Sequence, residues 1–253
     1  MGIPLTLISG YLGTGKTTLI NNLLRTSKKK IALLVNDFGD VNIDETLIES
    51  KTDSLLSIAG GCVCCSYGNE LIETLESMNS SELLPDHIVL EASGIALPSK
   101  IIQTVSLMNF LSFYGTVLLT DASRIQAQLN DVYISDTIRL QIHQHDLLVL
   151  NKTDLIGKED LSNCMDALLK NFQIRKVLTT VNAHIEEKDM LLDFVPNEKY
   201  KRAEIKSEKK MGHGFISSTI KPKGTIDTDA LSTLLRNPTY NIERAKGFFK
   251  NKN

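Results

Sequence analysis

Residues 10–18, "GYLGTGKTT", restrict the fold more than any other stretch of this 253-residue chain. They fit G-x-x-x-x-G-K-[S/T], with Gly10, Gly15, Lys16 and Thr17 at the fixed positions. A strand-like run, "IPLTLI" (3–8), comes directly before, and a helix-like run, "TTLINNLLR", follows. Strand, glycine-rich loop and helix in that order is the context the pattern requires. The glycines, Gly13 among them, let the backbone curl so that successive N–H groups aim at phosphate oxygens. The helix that follows, opening with Lys16, Thr17 and Thr18, presents its positive N-terminal end. Lys16 would bridge the β- and γ-phosphates, and the Thr17 hydroxyl would ligate Mg2+.

Further strand-like runs are "IALLV" (31–35), "SLLSI" (54–58), "HIVL" (87–90), "TVLLT" (116–120), "LLVL" (147–150) and "VLTTV" (177–181). They are nearly continuous in apolar residues, as strands buried on both faces of a parallel sheet must be. Amphipathic stretches alternate with them. Leu71, Ile72, Leu75 and Met78 recur at helical spacing, as do Leu161, Met165, Leu168 and Leu169, with Cys164 a small packing residue on the second helix. Alternating β and α units predict a doubly wound, mostly parallel α/β domain over residues 1–195. Residues 196–214 are charged and poor in aliphatics, and read as a linker. Residues 215–253 follow as "FISSTIK", "TDALSTLLR" and "IERAKGFFK", a short β-α-β appendage too small to hold itself together alone.

Composition limits the partners. Twenty-eight basic residues stand against 30 acidic ones, a net charge of −2, which gives no support for a nucleic-acid partner. No apolar run approaches the roughly 20 residues that span a bilayer, and "MGIPLTLISG" lacks the basic region of a signal peptide. The expectation is a cytoplasmic chain without a membrane partner, in a compartment that disfavours stable disulfides.

Two further segments carry chemistry. "HIVLEASG" ends a strand with Glu91, placed to hold a metal-bound water or orient an attacking one; Asp121, after "TVLLT", occupies the equivalent end of the next strand. "LLVLNKTDL" puts N-K-x-D at the end of another buried strand. The Asp154 carboxylate can accept from guanine N1–H and N2–H2 together, a pair adenine does not offer. The stem of Lys152 would pack over the base, and Asn151 would tie the loop to it. A site built on buried polar pairing rejects the analogue lacking it, so GTP is favoured over ATP.

"SIAGGCVCCSY" (57–67) then crowds three of the four cysteines into Cys62, Cys64 and Cys65. Cys62 and Cys64 lie two apart, so an extended loop can turn both to one side, and the flexible glycines before them can turn Cys65 in. Thiolates favour Zn2+, Co2+ or Cu+, and three or fewer protein ligands leave a site open to exchange. Packing cysteines and a Cys64–Cys65 redox pair are the alternatives.

The glycine loop, Glu91, N-K-T-D and G-G-C-x-C-C together resemble the CobW-type metallochaperone GTPases, P-loop NTPases related to UreG and HypB. The resemblance covers most of the chain. It implies GTP and Mg2+ binding, slow hydrolysis to GDP and phosphate assisted by Lys16 and Glu91, and carriage of Zn2+ or Co2+ to a client metalloprotein. The family's N-E-F-G segment corresponds to Asn36, Asp37, Phe38 and Gly39, which implies Asp37 as a metal residue beside the cysteines. Here aspartate replaces the usual glutamate. Leu97 stands where many members are acidic, and the linker holds only His213. His143 and His145 fall on a polar helix, and His87 reads as structural. The piece after 214 is about half the family's usual C-terminal domain, which leaves homodimerisation as one way to complete it. A small-molecule kinase would leave N-K-T-D unexplained. A regulatory GTPase with structural cysteines would carry no metal.

Overall fold

The computed structural model describes residues 2–35, 55–57, 69–80, 84–191, 224–240, 242, 245 and 250–251. The strands β1 (Ile3–Ser9), β2 (Ile31–Val35), β3 (Leu55–Ser57), β4 (His87–Glu91), β5 (Leu111–Asp121), β6 (Leu147–Asn151) and β7 (Val177–Thr179) form one sheet in the order β3-β2-β4-β1-β5-β6-β7. Every pairing in it is parallel. All of the strand-like runs up to residue 181 thus become strands. Their carboxyl ends share one edge, the edge at which such sheets bind ligands.

Parity along the strands sorts the core into two layers. Leu5, Leu7, Ile88 and Leu90 face α2 (Asn69–Asn79) and α3 (Pro98–Val105). On the same side, Leu118, Leu148 and Leu150 meet α4 (Ile125–Asn130), α5 (Ser135–His143) and α6 (Lys158–Asn171). Ile8, Val89, Val117, Leu119 and Val149 face the other way, against α1 (Lys16–Thr26) and α7 (Glu187–Met190). Helices therefore cover both faces, as continuous apolar strands demand.

Leu71, Leu75 and Met78 of α2 are buried as their spacing predicts. On α6, Cys164 and Leu168 are buried, but Leu169 is 49% exposed, because this helix covers the end of the sheet and buries only a narrow stripe. Burial pushes the Cys164 thiol pKa up, in keeping with a packing role.

β5 begins at Leu111, ahead of the predicted Thr116, and carries a bulge. Leu5 pairs with Phe113, whereas Thr6 pairs with Gly115, so Tyr114 is an extra residue. Gly115 takes φ +149 there. At the amino edge of β4, buried His87 contacts the Thr6 hydroxyl through Nε2 at 2.9 Å, and that hydroxyl donates to Leu191 O. Burial, with the Lys29 charge second, lowers the His87 pKa to about 4. It is a neutral structural histidine.

Near the C-terminus, β8 (Thr225–Ile226) pairs in parallel with β9 (Lys250–Asn251), with α8 (Thr228–Leu235) between them. Asp227 caps α8, accepting from Asp229 N and Ala230 N. Ile242 and Ala245 are not in a strand, and the described pairing involves Lys250 and Asn251. The predicted linker, 196–214, and the 215–221 run lie outside the described residues. Among the described residues, no helix is long and apolar enough to cross a membrane.

Candidate functional site

The glycine loop joins β1 to α1 at the carboxyl edge. Gly10 has φ +142, and a Cβ there would lie 2.3 Å from Leu119 O. Gly15 has φ +106, and a Cβ would lie 2.6 Å from Asn151 Nδ2. Both positions demand glycine, for conformation and for space. Thr14 Oγ1 donates to Tyr11 O at 2.9 Å, and buried Tyr11 anchors the loop in the core beside Ile95 and Ile125. Lys16 is buried, and its Nζ donates to Gly10 O at 2.9 Å and Tyr11 O at 3.3 Å, laying the ammonium across the loop. The first turn of α1 has no acidic residue and no side-chain cap. Its N–H groups and positive end therefore suit phosphate. Thr17 is half-buried in that turn and Thr18 is exposed.

Glu91 is buried at the end of β4, paired with Ile8 on one side and Val35 on the other. Its parity with Val89 places it on the α1 face. The segment after it packs on the glycine loop: a Cβ on Gly94 would lie 2.4 Å from Leu12 Cδ2 and 2.9 Å from Leu12 N. From α5, Gln141 Nε2 donates to Gly94 O and Ala96 O, at 3.1 and 3.0 Å. Just beyond α5, Gln144 Oε1 accepts from Ser99 N at 2.9 Å. Leu97, at the start of α3, supplies no side-chain cap.

At the end of β6, Asn151 is buried. Its Nδ2 donates to Thr14 O at 2.9 Å, and its Oδ1 accepts from Ala183 N at 2.8 Å, so it joins three loops rather than reaching outward. Lys152 has φ +61 and pairs through Nζ with Asp121 Oδ2 at 2.7 Å. Asp121 Oδ1 accepts from Ser123 N and Oγ. Burial alone would raise the Asp121 pKa, but the hydrogen bonds from Lys152 and Ser123 and the Lys152 charge outweigh it and hold the carboxyl below its usual range. Asp121 therefore anchors the N-K-T-D loop through Lys152. The stem of Lys152 is held by its charged end.

Asp154 lies in the short 3-10 turn Thr153–Leu155 and is exposed. With Gly13, Gly15, Thr18, Lys152 and Asn182 it lines a cavity of about 270 Å3. The phosphate loop and N-K-T-D thus open onto one space. Asn182 belongs to a turn, 180–184, that sequence reasoning missed. Asn182 and Ala183 both have φ +52. Its only local signal is asparagine's tolerance of the left-handed region.

Asp37, Cys62, Cys64 and Cys65 lie outside the described residues, as does His213. His143 ends α5, and His145 lies beyond it, buried with Nδ1 against Ile142 O. Among the described residues, no cluster of three or more His, Cys, Asp or Glu could hold a metal ion.

A parallel sheet in this order, with a glycine loop after β1 and N-K-T-D after β6, defines a P-loop nucleotide-binding fold. The chain belongs to the family described as CobW/HypB/UreG, nucleotide-binding domain, which matches residues 4–179. It is 32% identical over 193 residues to the zinc chaperone CobW of Sinorhizobium sp, covering 65% of this chain and 54% of that protein. It is 34% identical over 168 residues to the zinc chaperone YjiA of Escherichia coli K12, covering 62% and 52%. It is 32% identical over 203 residues to the zinc-regulated GTPase metalloprotein activator 1 of Schizosaccharomyces pombe, covering 76% and 49%. The chain spans about half the length of these curated relatives. The crystal structure of Zn(II)-bound YjiA GTPase from E. coli matches with a TM-score of 0.56 at 20% identity, over 95% of this chain and 78% of that one. That likeness bears on the fold alone.

Proposed function

We propose that this chain is a GTP-dependent metallochaperone. It binds a transition metal, Zn2+ first and Co2+ second, through Cys62, Cys64 and Cys65 with Asp37 beside them, and passes it to a client metalloprotein when GTP is hydrolysed. One observation carries the nucleotide half: Asn151 ties the phosphate loop to N-K-T-D, and Gly13, Gly15, Lys152 and Asp154 line one cavity. The metal half is supported by cysteine spacing and by relatives that carry the names zinc chaperone and zinc-regulated GTPase metalloprotein activator.

Lys16 and the first turn of α1 supply positive charge where the β- and γ-phosphates sit. The Thr17 hydroxyl, in that turn, would ligate a Mg2+ ion, which would neutralise charge on the phosphate oxygens. Glu91 orients the water that bonds to the γ-phosphorus as the bond to the β–γ bridging oxygen breaks. The bonding electrons leave with GDP, and the water's proton goes to the phosphate that is released. β2 and β3 end on the same edge as the glycine loop, at Val35 and Ser57, and the Asp37 and cysteine segments follow them in sequence. Contacts from the γ-phosphate would order the first segment and thereby shape the metal site. Linkage then requires nucleotide and metal to strengthen each other's binding equally.

Zn2+ affinity measured against a chromogenic chelator should be at least about tenfold tighter with a non-hydrolysable GTP analogue than with GDP. Replacing the three cysteines by serine should remove the difference. Equal affinity in both nucleotide forms would overturn the switch.

A further inference from the structure

The turn at 180–184 sets two consecutive non-glycine residues, Asn182 and Ala183, in the left-handed region at φ +52. Such strain persists only where the surroundings impose it, and it concentrates at functional sites. Here Asn182 lines the cavity that holds Asp154.

The turn is restrained from three directions. Thr180 Oγ1 donates to His184 O at 2.7 Å within the turn. Thr153, from the N-K-T-D segment, donates to Thr180 O through both its N–H and its hydroxyl, and Asn151 accepts from Ala183 N. The third restraint comes from α1. Asn22 Nδ2 donates to Asn182 O at 2.9 Å and Ala183 O at 3.1 Å, the two carbonyls of the strained residues. Arg25 Nη2 donates to Asn22 Oδ1, which leaves the amide only one useful orientation.

We infer that Asn22 is a positioning residue for base selection: it fixes the strained turn on the cavity wall, so that the helix facing the phosphates also shapes the pocket for the purine. This rests on the guanine-nucleotide reading above. Asn22 does not line the cavity; it acts through the backbone of Asn182 and Ala183. A merely structural Asn22 would weaken all nucleotides alike or lower stability. A positioning Asn22 changes the preference between bases.

The test is the ratio of GDP to ADP affinity, by calorimetry, in the unsubstituted chain, Asn22→Leu and Asn22→Asp. Leucine removes the donor at similar size. Aspartate keeps the size and the Arg25 contact but turns an oxygen toward both carbonyls. The guanine-to-adenine ratio should fall about tenfold in Asn22→Leu and further in Asn22→Asp, with ADP affinity nearly unchanged, as expected for one or two lost hydrogen bonds. A ratio that stays constant in folded variants, or failure of both variants to fold, makes Asn22 structural and overturns the inference. An unsubstituted chain that binds GDP no better than ADP overturns the nucleotide reading itself, an outcome visible before any variant is made.

Discussion

The two ends of the cavity proposed for the nucleotide are built by different means. At the end proposed for the phosphates, the wall is mainly backbone: glycines at φ values other residues resist and an uncapped helix start, with the Lys16 side chain laid over carbonyls of the same loop. At the other end a strand is followed by short turns that set Lys152, Asn182 and Ala183 in the left-handed region, and side chains from distant segments hold them there. Asp121 grips Lys152, Asn151 joins Thr14 to Ala183, and Asn22 reaches across from α1. A backbone-built site needs only a short contiguous motif. A side-chain-built site needs several segments folded against each other, and can be retuned one residue at a time.

The sharpest way to separate the ends is Asp154→Asn. GTP affinity should fall at least about 10^3-fold while xanthosine triphosphate becomes the preferred ligand, measured by competition with a fluorescent nucleotide. Unchanged GTP binding would remove Asp154 from the base site. Lys16→Ala should lower the GTP hydrolysis rate about 10^2-fold and leave the guanosine-to-xanthosine preference untouched. A shift in that preference would break the division between the two ends. The smallest effect belongs to Gly13→Ala. At φ +75 with open space around its Cβ, it should cost only about 1–2 kcal/mol of backbone strain, read from chemical denaturation. Gly10→Ala should exceed it, because Leu119 O blocks the Cβ at 2.3 Å.

The same contrast explains what is legible in the sequence. The strands of the large sheet show as apolar runs, and the glycine loop and N-K-T-D as contiguous patterns with context on both sides. The walls supplied from elsewhere do not. Asn22 looks like any polar residue on a helix, and in "VNAH" only the asparagine hints at a left-handed turn. Asp121 sits at a strand end that fits a metal-side carboxylate, and only the distance to Lys152 reassigns it. "LSFYG" reads as lying outside the strand because its glycine and polar residues interrupt the apolar run, yet Leu111–Asp121 is a single strand. Leu169 follows helical spacing but lies beyond the narrow stripe that α6 buries.

The bulge at Tyr114 has a consequence far along its strand. Phe113 packs with Leu5 on one layer of the core, whereas Val117 and Leu119 pack on the other, although simple alternation would put all of them together. The supernumerary residue reverses the phase of everything after it, and so aims Asp121 at Lys152. Strand length here is thus a coding variable. Losing a single residue upstream would rotate the carboxylate to the wrong side of the sheet without altering any residue that binds nucleotide.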